Sequence, residues 1–117
     1  MKILNRGFWE EIIQLTATHS IVIDRPKGQP HPCYREMIYP LDYGYIENTS
    51  ASDGGGIDVW IGSLELKTLT GILCTFDTLK NDAEIKILLG CTSQEVETII
   101  DFHGQAMKML YIQKPED

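Results

Sequence analysis

The chain has 117 residues, of which 43% are hydrophobic and 23% are charged, and its formal net charge is −7. This length allows one domain and excludes two domains with separate cores, and the composition is typical of a soluble globular protein. The negative charge argues against non-specific binding to nucleic acid or to an anionic membrane surface.

Cysteine content and the N-terminal run predict the compartment. The three cysteines form no CxxC pair, a pattern that favours a reduced, cytoplasmic protein over a disulfide framework. Polar and charged residues interrupt the first segment, MKILNRGFWEEIIQL, so it has no signal-peptide core. No apolar run is long enough to predict a membrane span.

A helix followed by several short strands is predicted for most of the chain. Asn5 is expected to cap the first helix, in which Phe8, Ile12 and Leu15 form an apolar stripe. Prolines and a glycine in RPKGQPHP predict an irregular segment over 25–32. The runs rich in β-branched or apolar residues predict strands over 19–24, 43–46, 57–61, 69–76 and 83–89.

The C-terminal part predicts a second helix. Thr92 and Glu95 have the spacing of a capping box, and the apolar face behind them is expected to reach Met107. Gly104 weakens this helix by about 1 kcal/mol relative to alanine. Helices at the two ends and strands between them predict a mainly β, α+β fold, a small barrel or curled sheet flanked by helices.

An acidic, glycine-rich stretch is the first candidate site. The segment YPLDYGYIENTSASDGGGIDVW (39–60) contains no lysine or arginine, and three glycines separate Asp53 from Asp58. On a strand, Asp58 faces away from Ile57 and Val59, so it is available as a ligand for a hard cation such as Mg²⁺. A hairpin turn with solvated aspartates is the alternative, and spacing alone favours that alternative.

Other charged residues flank this stretch. Asp77 and Asp82 form a second acidic pair at a strand-to-strand turn, and Asp24 ends the first strand; spacing alone predicts solvated turn or loop residues. The basic candidates for phosphate contact in the preceding loop are Arg25, Lys27, His31 and Arg35. Solvated loop charges are an equally good interpretation of these basic residues.

Taken together, these residues resemble the signature of the family I soluble inorganic pyrophosphatases. YPLDYGYIENTSASDGGGIDV is similar to the family's Tyr-Pro-x-x-Tyr-Gly-Tyr-Ile segment and its Asp-Gly-Asp-x-x-Asp motif, and IVIDRP and the Asp77–Asp82 interval match its flanking acidic positions. The resemblance covers about residues 19–90. It implies a single domain with a five-stranded, OB-like barrel that hydrolyses pyrophosphate to phosphate with Mg²⁺.

The resemblance also implies roles for individual residues. Metal ligands would be Asp53, Asp58, Asp82, Asp77 and Asp24, with Asp58 bridging two ions. Asp58, Tyr43 and Tyr39 would form the catalytic centre. Arg25, Lys27, Arg35 and Lys86 would bind the substrate. Bacterial members of the family assemble into oligomers, so the resemblance leaves a homo-oligomer open.

Several features depart from the family pattern, and two of them lie in the acidic clusters. Gly55 stands where the family has the aspartate that activates water, and Glu84 stands where it usually has a phosphate-binding lysine, with Lys86 two residues further on the same strand face. Loss of a general base commonly lowers the rate by about 10²–10⁴-fold. We therefore expect attenuated activity, and two alternatives stay open: a phosphohydrolase with another substrate, or a non-enzymatic metal- or phosphate-binding relative.

Overall fold

The computed structural model describes residues 5–104 and 106–116. Its elements are, in chain order, α1 (Arg6–Thr18), β1 (Ile21–Arg25), β2 (Asp42–Ile46), β3 (Ile57–Ile61), β4 (Leu69–Asp77), β5 (Asp82–Leu89), α2 (Ser93–His103) and β6 (Met107–Gln113). The predicted first helix and five strands are confirmed to within a few residues. Within the described ranges, no helix is both long enough and apolar enough to cross a membrane.

The strands form one sheet in the order β1-β2-β3-β5-β4-β6. Neighbouring strands are antiparallel except β3 and β5, which run parallel. The mainly β, α+β class is confirmed, with six strands where five were predicted. Closure into a barrel is not confirmed, because it requires pairing between β1 and β6, and these strands are the two edges of the described sheet.

Each face of the sheet is covered by one helix, since alternate strand residues point to opposite sides. On the face that we call the α1 face, Trp9 joins a buried cluster that includes Val59, Ile72 and Ile87. On the α2 face, a second cluster contains Trp60, Leu73, Leu88, Val96 and Ile99, together with Tyr39 and Leu41 from the segment before β2. The candidate site residues on the strands belong to the α2 face.

The ends of the two helices show which of the predicted capping residues make capping hydrogen bonds. The predicted capping box of α2 is confirmed: the Thr92 side chain accepts a hydrogen bond from the Glu95 backbone, and the Glu95 carboxylate accepts one from the Thr92 N–H. Asn5 occupies the N-cap position of α1 but makes no side-chain capping bond. The prediction that α2 extends to Met107 is wrong, because Gly104 has a positive φ of 73° and Met107 opens β6, which pairs with β4.

Candidate functional site

Adjacent strands place a row of polar side chains on the α2 face. In the parallel pair, Val59 lies opposite Ile87, so Asp58 of β3 and Lys86 of β5 are neighbours on the other side of the sheet. Glu84 precedes Lys86 on the same face, and Asp82 precedes Glu84. The strand pairing thus brings Asp58 next to β5, although the two segments are far apart in sequence.

A buried ion pair forms the centre of the site. Lys86 Nζ donates hydrogen bonds to Asp58 Oδ2 at 2.7 Å and to the Tyr43 hydroxyl at 2.8 Å. The Lys86 side chain is only 6% exposed and that of Asp58 22%. Burial, followed by the charge of Asp58 and a hydrogen bond to it, raises the pKa of Tyr43 well above its usual value. The charges of Lys86 and Asp58 therefore neutralise each other, as the burial of a charge requires.

Carboxylates surround one side of this ion pair. The pKa of Glu84 is raised, chiefly by burial; Lys86 opposes the shift, and the charges of Asp53, Asp58 and Asp82 add to it. Ser52 anchors the glycine-rich loop by donating to the Ala83 carbonyl at 3.1 Å, which brings Asp53 towards the start of β5. The loop is therefore part of the acidic side of the site.

These carboxylates do not converge on one point. Within residues 5–104 and 106–116, no group of three or more His, Cys, Asp or Glu side chains is arranged to hold a metal ion. Asp53 Oδ1 instead accepts a hydrogen bond from the Gly55 N–H at 2.9 Å. Asp77 lies opposite Asp82 in the β4–β5 register, and its Oδ1 accepts from the N–H groups of Leu79 and Lys80, at 2.9 and 3.2 Å. A metal ion held here would require some of these side chains to move.

Aromatic rings form the opposite side of the site. Tyr39 and Tyr43 lie 5.6 Å apart between ring centroids, and both contact Trp60. Burial raises the pKa of Tyr39, whereas a side-chain interaction with Arg25 opposes that shift. Asp24 lies beside Arg25, with its Oδ2 3.8 Å from Arg25 Nη1. One basic side chain thus lies next to the tyrosines, with its own acidic neighbour.

His103 is a site residue that the sequence analysis did not identify. It ends α2, its ring is 5.6 Å from that of Trp60, and its Nε2 is buried without a hydrogen-bond partner among the described residues. Burial, with smaller contributions from Lys86 and His31, lowers the pKa of His103 to about 3. Its spacing of four residues from buried Ile99 is the helical signal that indicates an inward position.

The loop between β1 and β2 carries the remaining basic candidates. His31 stacks on Tyr39 at 6.1 Å, so it reaches the aromatic side of the site. Lys27 is exposed, and its backbone N–H donates to Asp42 Oδ1 at 2.9 Å, an anchor that the sequence analysis did not identify. Arg35 is exposed on the same loop. The structure therefore places Lys86 at the centre and Arg25 beside Tyr39, and it leaves Lys27 and Arg35 on the loop surface.

Comparison with known proteins finds similarity for part of the chain. A 56-residue alignment is 36% identical to inorganic pyrophosphatase 2 of Pseudomonas syringae pv. tomato (strain ATCC BAA-871 / DC3000), and it covers 43% of this chain. Part of this chain is pyrophosphatase-like. The similarity covers 31% of that relative, so the chain spans less than a third of the protein that it matches. No protein-family model matches the chain.

Proposed function

We propose that this domain hydrolyses inorganic pyrophosphate, bound as its Mg²⁺ complex. The observation that carries the proposal is the hydrogen-bonded group of Asp58, Lys86 and Tyr43, which lies between a set of carboxylates on one side and Tyr39 with Arg25 on the other. The partial similarity to a pyrophosphatase supports the same conclusion. The substrate is a small molecule, and the net charge of −7 gives no reason to add a nucleic-acid or membrane partner.

The charge of the site explains why a divalent cation is required. The basic residues Lys86, at the centre, and Arg25, beside Tyr39, are outnumbered by the carboxylates of Asp24, Asp53, Asp58, Asp82 and Glu84. A diphosphate anion entering such a site is repelled unless a cation accompanies it. The donor set fits Mg²⁺, which binds through a few carboxylates and substrate oxygens. We propose Asp53 and Asp82 as its main ligands, with Asp77 and Asp24 at the margins.

Mg²⁺ would neutralise the substrate and lower the pKa of a bound water molecule. The side chains of this chain would orient the phosphate groups. Arg25 and the Tyr39 hydroxyl are proposed to bind phosphate oxygens, and Lys27 and Arg35 to approach the anion from the loop. Lys86 and Tyr43 hold Asp58 in place, and Gly55 lacks the carboxylate that the resemblance implies as the base at that position. We therefore propose slow hydrolysis.

The test is phosphate release from pyrophosphate in the presence of Mg²⁺. Asp53→Asn and Asp82→Asn should each lower the rate by at least about tenfold, as expected when the surroundings of a metal are altered. Glu97→Gln is the matched control, because Glu97 is an exposed carboxylate on α2 and should leave the rate unchanged. Wild-type phosphate release no faster than that of Asp53→Asn would overturn the proposal.

A non-enzymatic phosphate-binding domain is the second candidate. Gly55 and the internal pairing of Asp58 with Lys86 favour it, because together they remove one catalytic carboxylate and neutralise another. Calorimetry with Mg²⁺ and a non-hydrolysable diphosphate analogue distinguishes the two candidates. Binding of the analogue without phosphate release from pyrophosphate supports this second function. Phosphate release from another phosphate compound, with none from pyrophosphate, identifies a different substrate on the same site.

The location is part of the same proposal. Cys33, Cys74 and Cys91 are all free thiols in the structure. Free thiols persist in reducing compartments, where disulfides are rare. We propose that the protein acts in the cytoplasm, where pyrophosphate and Mg²⁺ are both present.

A further inference from the structure

The Lys86 ammonium group lies directly against Asp58, which the pyrophosphatase resemblance implies is a metal ligand. Its Nζ lies 2.7 Å from Asp58 Oδ2, and the side chain of Asp58 has a second contact through the Tyr43 hydroxyl. A Mg²⁺ ion binds a carboxylate oxygen at about 2.0–2.1 Å. An ion bound to Oδ2 would therefore lie within a few ångströms of the ammonium group and would be repelled by it.

Lys86 is held more firmly than a surface lysine. It lies on β5, an interior strand of the sheet, with Leu73 of β4 opposite it in the register. Its side chain is 6% exposed, and Nζ lies 5.3 Å from the centroid of the Tyr43 ring in addition to its two hydrogen bonds. If Lys86 left this position, the charge of Asp58 would be unpaired in a side chain that is only 22% exposed.

We propose that Lys86 is a built-in monovalent cation that neutralises Asp58 in place of a divalent metal ion. Divalent cations then bind this domain through the outer carboxylates, Asp53 and Asp82, and Asp58 is not a metal ligand in the native chain. This inference rests on the proposed function only for the choice of divalent cation. It assigns Lys86 a part in determining how many metal ions the site accepts.

Binding of Mn²⁺ alone, without pyrophosphate, tests the inference. Mn²⁺ is a paramagnetic stand-in for Mg²⁺, so its affinity is measured by electron paramagnetic resonance and by calorimetry. Removing the positive charge in Lys86→Met should tighten Mn²⁺ binding by about tenfold or more, because one unit charge close to the ion is removed. The second variant, Lys86→Gln, removes the charge and retains hydrogen-bonding capacity toward Asp58 and Tyr43, so it should show the same direction if Lys86→Met folds poorly.

Matched variants make the test specific to Asp58. Lys108→Met removes a lysine from the exposed surface of β6 and should keep the wild-type affinity. Lys86→Met/Asp58→Asn, which has the same net charge as the native ion pair and lacks the Asp58 carboxylate, should lose the gain of Lys86→Met. In crystals soaked with Mn²⁺, Lys86→Met should show an anomalous peak at Asp58 that the wild type does not show.

Three outcomes would overturn the inference. These are Mn²⁺ binding by folded Lys86→Met and Lys86→Gln that is no tighter than wild type, an equal gain in Lys108→Met, or retention of the full gain in Lys86→Met/Asp58→Asn. None of these measurements uses hydrolysis. The inference about Lys86 and the proposed pyrophosphatase activity can therefore fail independently. Mn²⁺ binding can confirm the role of Lys86 in a protein that does not hydrolyse pyrophosphate, and it can contradict that role in a protein that does.

Discussion

Replacing His103 by phenylalanine should make the stability of the protein less dependent on pH. An unperturbed histidine has a pKa near about 6.5, and burial lowers that of His103 to about 3 in the folded protein. The folded state therefore binds fewer protons than the unfolded state between these two values. This contribution to stability is complete above about pH 6.5 and is lost progressively as the pH falls towards about 3.

The expected loss of unfolding free energy follows from the difference between the pH and the pKa of histidine in the unfolded chain. One pKa unit corresponds to about 1.4 kcal/mol, so acidification from pH 8 to pH 5 should cost roughly 2 kcal/mol through His103 alone. For a chain of this length, that loss corresponds to a decrease of about 8 °C in Tm. Phenylalanine keeps the ring contacts with Trp60 and Phe102 and leaves no ring nitrogen unpaired.

Urea unfolding at pH 8 and pH 5 measures the effect. Carboxylates lose charge in the wild type and the variant alike, so the difference between their two pH dependences isolates His103. Ile100→Val, a non-titrating change one turn earlier in α2, should lower stability equally at both pH values. If His103→Phe loses as much stability on acidification as the wild type, the buried, neutral state of His103 is refuted.

Three further predictions concern the loop, the second helix and the core. Gly55→Asp should fold and raise phosphate release, because a Cβ there meets only the Asp53 side chain, whose Oδ1 at 3.3 Å is close but can shift. Gly56→Asp should instead lower Tm, because its Cβ would lie 2.8 Å from the Tyr45 ring, and equal melting temperatures of the two variants would contradict this. Thr92→Ala should cost about 1 kcal/mol in urea unfolding through loss of the N-cap, and an unchanged midpoint would argue against the capping box. Leu73→Ala should cost about 2–5 kcal/mol, because Leu73 is fully buried, and a cost below 1 kcal/mol would show that this core collapses around the cavity.

Most of the fold could be predicted because its signals are local. The β-branched runs of β1 to β5 and the Thr92–Glu95 capping box depend on residues that are close together in sequence. Strand β6 was not predicted, because its apolar residues followed the helical pattern of α2 and its pairing with β4 is non-local. Gly104 was read as a weak point within a helix, and it is in fact the end of that helix.

The candidate site was predictable in its residue types and not in its pairings. The motif identified Asp58 and Tyr43, and the charge pattern of β5 added Lys86; the structure brings these three into one hydrogen-bonded group. Their partners could not be predicted, because Asp58 meets Lys86 only through the parallel pairing of β3 with β5. A lysine in a strand is ordinarily exposed, so sequence alone gives no signal that Lys86 is buried.

The positions of Glu84 and Lys86 connect the charge pattern of β5 to the chemistry of the site. Residues two apart on a strand share a face and lie about 6.5 Å apart along it. Lys86 therefore lies on the same α2 face as Glu84 but further along β5 from Asp82. At that position its ammonium group reaches Tyr43 and Asp58. Glu84 adds a carboxylate to those of Asp53 and Asp82. Glu84, which departs from the pyrophosphatase pattern, thus makes the outer carboxylates more numerous, and Lys86 neutralises Asp58, so the place that we propose for a divalent cation lies outward from Asp58.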